Sequence, residues 1–228
     1  NTWRTFADLP MRFTRSTVTT NDWGRDGTAV FDEGYSTWLT QDHGVSWELI
    51  AEDPVVDGVV VLAEDVKGVA IAPDSQADPF ILTTIGDYRM SFRASEDLGS
   101  TWITGAQSPV CEADGFAVSL SPRWPEESRA WAACGGLIYE STDRGRTWLV
   151  IGDTGASFVF RIVEQPLGSL LVATSDGLWG IEDGLGERVG FEGAPVVSVA
   201  ASAVAGDDTV FALGPAEGWF RRTTGGET

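Results

Sequence analysis

Three carboxylates recur in one fixed pattern. Asp42, Asp97 and Asp143 each sit in Ser/Thr-x-Asp-x-Gly-x-Ser/Thr-Trp, over Thr40–Trp47, Ser95–Trp102 and Ser141–Trp148. An acid so placed can be read as a catalytic group, a calcium ligand or the pivot of a turn. The spacing favours the turn. Asp and Ser/Thr side chains bond nearby backbone N–H groups and hold a tight reversal. Gly44, Gly99 and Gly145 take a positive φ that a β-carbon resists. Trp47, Trp102 and Trp148 then start the next strand and pack over the turn, each N–H available to a backbone acceptor.

The remaining chemistry is sparse. Glu182, Asp183 and Glu187 crowd around Gly184 and Gly186. Oxygen-rich loops hold Ca²⁺, but the EF-hand spacing is missing and solvated loop acids are the simpler reading. No metal site is assigned and no cofactor is expected. His43, the sole histidine, falls at a variable position of the first motif, with no Ser and Asp set to make a triad. No catalytic residue is assigned. Trp23 and Trp124 fall in equivalent loops, where an exposed ring could stack on a sugar; the simpler reading is that each anchors its own loop. Cys111 and Cys134 show no CxxC spacing, which excludes zinc and thioredoxin sites. Cys111 precedes the innermost strand of its unit and Cys134 ends the second, a bridgeable placement. A disulfide is expected, and with it an oxidising compartment; two buried free thiols are the alternative.

Residues of this kind need a repeating frame. The motif tryptophans lie 55 and 46 residues apart. Short β-branched and aromatic segments lie between them, punctuated by Gly, Pro and Asp. In the third unit, 116–121, 129–133, 137–141 and 148–151 read as strands. In the second they are 68–72, 80–84, 90–95 and 102–104, and in the fourth 157–164, 169–174, 178–182 and 187–191. The fifth has only three, 195–202, 209–213 and 219–223. No segment shows a helical period. A repeat of roughly 40–50 residues holding four strands is a β-propeller blade.

The expectation is therefore a single all-β domain over 1–228. It is a five-bladed propeller with blades at about 12–51, 68–105, 116–152, 157–192 and 195–228. Trp3–Phe6 supplies the missing strand of the last blade and closes the ring, which removes an open sheet edge. The alternative is a piece of a six- or seven-bladed ring. The stretch 55–67 lengthens the second unit and reads as an extra hairpin, a functional edge or an interface.

The motif resembles the Asp-box, or BNR, repeat of sialidases, xyloglucan-cleaving glycosidases, sortilin-type receptors and photosystem assembly factors. Leu120–Ser128 also resembles bacterial BNR-like repeats with a Ser-Pro-x-aromatic turn. The resemblance implies a propeller whose boxes lie on the rim, away from the axis where ligands usually bind. Unit five has Thr224 where Asp is expected. Unit four has only Asp183-Gly184-Leu185-Gly186 and no closing Trp, so packing must hold those blades. The arginine cluster and Tyr/Glu pair that sialidases use are not matched. Arg12, Arg15 and Arg161 lie in or before first strands, but Tyr35, Tyr88 and Tyr139 sit at third strands. Glu164 is the clearest acid on an inner strand.

Charge narrows the partners. The chain of 228 residues has 34 acids and 15 bases, a net charge of −19. Such a field repels phosphate backbones and anionic membranes. No apolar run approaches the roughly 20 residues of a membrane helix. The expected function is a non-catalytic binding or scaffold module, secreted, periplasmic or on the cell surface, with a protein or carbohydrate partner. A glycoside hydrolase and a subunit of a larger surface assembly are the alternatives.

Overall fold

The computed structural model describes residues 16–20, 23–32, 36–52, 55–56, 59–60, 66–85, 91–104, 117–166, 168–182, 184–202, 207, 209–216 and 218–222. Strands β1 (Ser16–Thr19), β2 (Ala29–Asp32), β3 (Ser36–Thr40) and β4 (Glu48–Glu52) form the first sheet. A two-stranded ribbon follows, β5 (Val55–Val56) with β6 (Val59–Val60), where the extra hairpin is expected. The second sheet is β7 (Val66–Ile71), β8 (Ile81–Ile85), β9 (Ser91–Ser95) and β10 (Ile103–Thr104). The third is β11 (Val118–Leu120), β12 (Ala130–Cys134), β13 (Leu137–Ser141) and β14 (Leu149–Asp153). The fourth is β15 (Val159–Glu164), β16 (Leu170–Thr174), β17 (Gly177–Glu182) and β18 (Leu185–Gly190). The fifth has three described strands, β19 (Ser198–Ala201), β20 (Val210–Gly214) and β21 (Gly218–Arg222). One helical turn, α1 (Trp23–Asp26), lies between β1 and β2.

Each sheet is an antiparallel meander in sequence order. First strands of successive sheets touch: β1 with β7, β7 with β11, β11 with β15, β15 with β19. This is the hub-and-blade order of a β-propeller. Strand alternation explains why second strands are buried on both faces. On β12, Ala130 and Ala132 pack against Phe80, Leu82 and Phe92 of the second sheet. Trp131 and Ala133 turn the other way, onto Ile162, Leu170 and Val172 of the fourth. On β16, Leu171 and Ala173 in turn face Val199, Val210 and Ala212 of the fifth. Period-two side chains thus feed two cores from one strand. Each buried Val, Leu, Ile or Phe among them contributes roughly 1.5–3 kcal/mol, and each alanine less.

The fifth sheet differs. Val210 and Ala212 face the fourth sheet, but Phe211 on the opposite face is exposed, and Trp219 is 70 % exposed. The strand expected at Trp3–Phe6 lies outside the described residues. The fourth unit's closing strand starts at Leu185, not Glu187, because Glu182 pairs with Leu185 across a two-residue turn.

Candidate functional site

The three motifs fold into one turn, repeated. In the first, Thr40 Oγ1 donates to Asp42 Oδ1 at 2.8 Å and accepts Gly44 N–H at 2.9 Å. Asp42 also accepts Ser46 N–H at 2.9 Å and Ser46 Oγ–H at 2.6 Å. Asp97 repeats this with Ser95 and Thr101, and Asp143 with Ser141 and Thr147. The carboxylates are spent on the turn. Hydrogen bonds from Ser46, then Thr40, hold the Asp42 pKa down at about 2. Those from Thr101 lower Asp97. Burial works to raise Asp143, but Thr147 and Ser141 outweigh it and the net shift is downward.

Gly44, Gly99 and Gly145 have φ of 80°, 91° and 78° as expected. The residues before them also lie in the left-handed region, His43, Leu98 and Arg144 at 61°, 52° and 63°. Their N–H groups bond Gly27 O, Pro79 O and Ser128 O in the loop joining the first two strands of the same sheet. Sequence reading missed this second docking bond, since a variable position carries it.

That contact decides the loop tryptophans. Trp124 is 4 % exposed, stacked on Phe80 of the second sheet at 4.5 Å, and its Nε1–H donates to Asp78 at 2.8 Å. It has no face left for a sugar, which corrects the stacking assignment: the ring wedges two sheets together. Trp23 is half-buried, edge-on to the exposed imidazole of His43 at 5.4 Å. Trp102 Nε1–H donates to Ile50 O of the first sheet at 3.1 Å. Trp148 donates to its own Gly145 O and packs on Phe92 at 4.5 Å. Trp47 meets Phe31 edge-on.

Other expected residues are placed as follows. Tyr139 is buried in β13, and Arg161 is exposed on β15. Arg12, Arg15, Tyr35, Tyr88 and Asp183 lie outside the described residues. Among the described residues, no three His, Cys, Asp or Glu converge to hold a metal. Cys134 ends β12 facing the second sheet and is not a free thiol. Cys111 lies outside the described residues, so the pairing stays a proposal.

Glu164, on a first strand as expected, is buried with its side chain 1 % exposed. It accepts Ser121 Oγ–H at 2.7 Å and Arg123 at 2.8 Å, with Arg129 3.7 Å away. Arg129 turns its Nε to Glu140 at 2.9 Å and also lies 3.8 Å from Glu127. Burial works against the charge on Arg129, but Glu140, Glu164 and Glu127 outweigh it and raise its pKa above the ordinary arginine value. A buried carboxylate so bonded ties two sheets together, and with its side chain 1 % exposed it does not face solvent.

Two grooves open beside the fourth sheet at its turn end. One, of about 370 Å³, lies between the third and fourth sheets and includes Arg129, Trp131, Glu140, Ile151, Ser169 and Glu182. The other, of about 380 Å³, lies between the fourth and fifth and includes Gln165, Ser169, Glu182, Glu187 and Arg222. They occur at the unit whose turn is two residues long. In the second and third units the longer turn carries Trp102 or Trp148 into the neighbouring sheet; among the described residues of the fourth, Ile181 and Gly186 approach the third sheet at Gly152 and Asp153, but no turn tryptophan does.

No family model and no curated protein matches this chain. Its fold is similar to solved propellers. A GH74 xyloglucanase from Xanthomonas campestris superposes with TM-score 0.69 at 14 % identity, covering 100 % of this chain and 40 % of that one. A GH74 enzyme from Niastella koreensis gives 0.66 at 13 %, covering 96 % and 38 %. YCF48 bound to D1 peptide gives 0.62 at 14 %, covering 93 % and 66 %. The chain spans about two-fifths of the GH74 enzymes it matches. At these identities the likeness carries the fold: the chain is a β-propeller.

Proposed function

We propose that this chain is a non-catalytic binding or scaffold propeller of the Asp-box (BNR) repeat kind. It acts outside the cytoplasm, secreted, periplasmic or on the cell surface, and takes a protein or carbohydrate partner. The observation that carries this is the contrast between two carboxylates. Glu164 is sealed by Ser121 and Arg123, whereas Glu182 is exposed on both grooves of the fourth sheet. The accessible chemistry is that of a recognition surface, an exposed acid whose groove neighbour Glu140 is held by Arg129. YCF48, seen with a D1 peptide, is a binding propeller of similar architecture.

Ring closure belongs to the same proposal. The described fifth sheet has three strands against four in each of the other four blade sheets, so β21 offers an edge that Trp3–Phe6 would pair. The exposed Phe211 and Trp219 face favours, alternatively, a further blade or a larger surface assembly.

A second reading is a glycoside hydrolase. It is favoured by superposition of the whole chain on part of a GH74 xyloglucanase and by Glu140 and Glu182 on one groove. One experiment separates the two: the purified chain is applied to glycan and peptide arrays, and the retained glycans are incubated with it and assayed for new reducing ends. Saturable retention without release is expected. Release of reducing ends above a blank would overturn the non-catalytic reading.

A further inference from the structure

The groove between the third and fourth sheets lies at the position where Trp102 docks between the first and second. Ile50 and Ile151 hold equivalent places, each three residues after a motif Trp and one after the residue paired beyond the bulge of the third strand. Ile50 O accepts Trp102 Nε1–H from the next sheet. At Ile151 the next sheet brings Gly184 near, whose missing β-carbon would lie 3.7 Å from Ile151 O, and no indole among the described residues donates to that carbonyl. The vacated wall is polar, with Glu140, Glu182 and Ser169 on it. Trp131, also on the wall, is wholly buried and its indole N–H has no acceptor. An unmet buried donor costs roughly 1–3 kcal/mol, so a guest that brings an acceptor gains there.

The balance of the wall selects the guest. Arg129 is already engaged by Glu140 and faces Glu164 and Glu127. The Glu182 carboxylate has no hydrogen bond or ion pair among the described residues. Unspent groups are therefore mostly acceptors and negative. A volume of about 370 Å³ lies at the low end of ligand pockets and suits one side chain with its backbone. The net charge of −19 draws cations toward it.

Building on the binding reading above, we infer that this groove receives an arginine or lysine side chain of a partner polypeptide. Its cationic head lies at Glu182 and Glu140, and its backbone carbonyl lies within reach of the Trp131 indole N–H.

The test is a titration of the ¹⁵N-labelled full chain with N-acetyl-L-arginine amide, following the indole N–H resonances. A saturable shift of Trp131 is expected, with none from N-acetyl-L-norleucine amide, and Glu182→Gln should weaken it about tenfold, the loss of one charge-assisted bond. Glu182 is exposed, so this variant keeps the fold. No saturable shift, an equal shift from the norleucine amide or from methyl β-glucoside, or an unchanged Glu182→Gln titration would each overturn the inference. Array binding that persists while the arginine amide fails would sink the groove assignment and leave the binding function standing.

Discussion

Arg144 and Asp78 form a two-pronged ion pair, Nη1 to Oδ2 at 2.8 Å and Nη2 to Oδ1 at 2.6 Å, between residues 66 apart in sequence. Arg144 belongs to the third turn and Asp78 to the second sheet's loop. The guanidinium also lies over the rings of Phe80 and Trp124, at 4.9 and 5.0 Å, and Asp78 raises its pKa above the ordinary arginine value. Arg144→Ala leaves Asp78 with Trp124 alone and should cost about 3 kcal/mol. Arg144→Lys should recover only part, since an ammonium cannot span both oxygens. Urea unfolding of the three proteins measures this; equal midpoints would show that the pair does not join the sheets.

The turn carboxylates predict a pH dependence. Asp42 sits near 2, and Asp97 and Asp143 are also lowered. An unfolded aspartate titrates near 3.9, so the folded state binds protons less readily and gains stability above that pH. The gain is lost as pH falls from about 4 toward about 2. Asp42→Asn should flatten the fall in urea midpoint across that window and lower stability at pH 7. A slope identical to wild type would remove the turn from acid unfolding.

Gly99 has a φ of 91°, and an added β-carbon would stand 2.6 Å from Ile50 Cβ. Gly99→Ala meets both backbone strain and overpacking and should cost about 2–4 kcal/mol. Gly155, with a φ of 65° and open space beyond it, is the control; Gly155→Ala should cost only about 1 kcal/mol. Thermal melts of the two should differ clearly, and matched melting points would refute close packing of the second turn on the first sheet.

Cys111 and Cys134 are proposed to be paired. Alkylation in denaturant without reductant should then label neither, and intact mass should rise by two hydrogen atoms on reduction. Loss of the bond should cost about 3 kcal/mol. Labelling of both thiols in oxidised protein would break the proposal and weaken the export reading that rests on it.

The turns, the strand pattern and the four-stranded unit were legible because their causes are local. Eight residues contain the hydrogen-bond partners of the Asp42 carboxylate, and strand alternation writes its burial into neighbouring side chains. Fourth-unit weakness was legible too, from its missing Trp. Its consequence was not, because an empty seat depends on what the preceding sheet presents, here Glu140 and Trp131.

The amino-acid sequence by itself determined an all-β repeat of turn-linked strands and an acidic surface. Only the tertiary structure decided that Trp124 is a wedge while Trp23 rests edge-on to His43, and that Glu164 is sealed while Glu182 is open. The physical reason is range. Trp124 and Asp78 are 46 residues apart and Trp102 and Ile50 are 52, so each contact exists only once two sheets have packed in register, and no spacing within one unit records it.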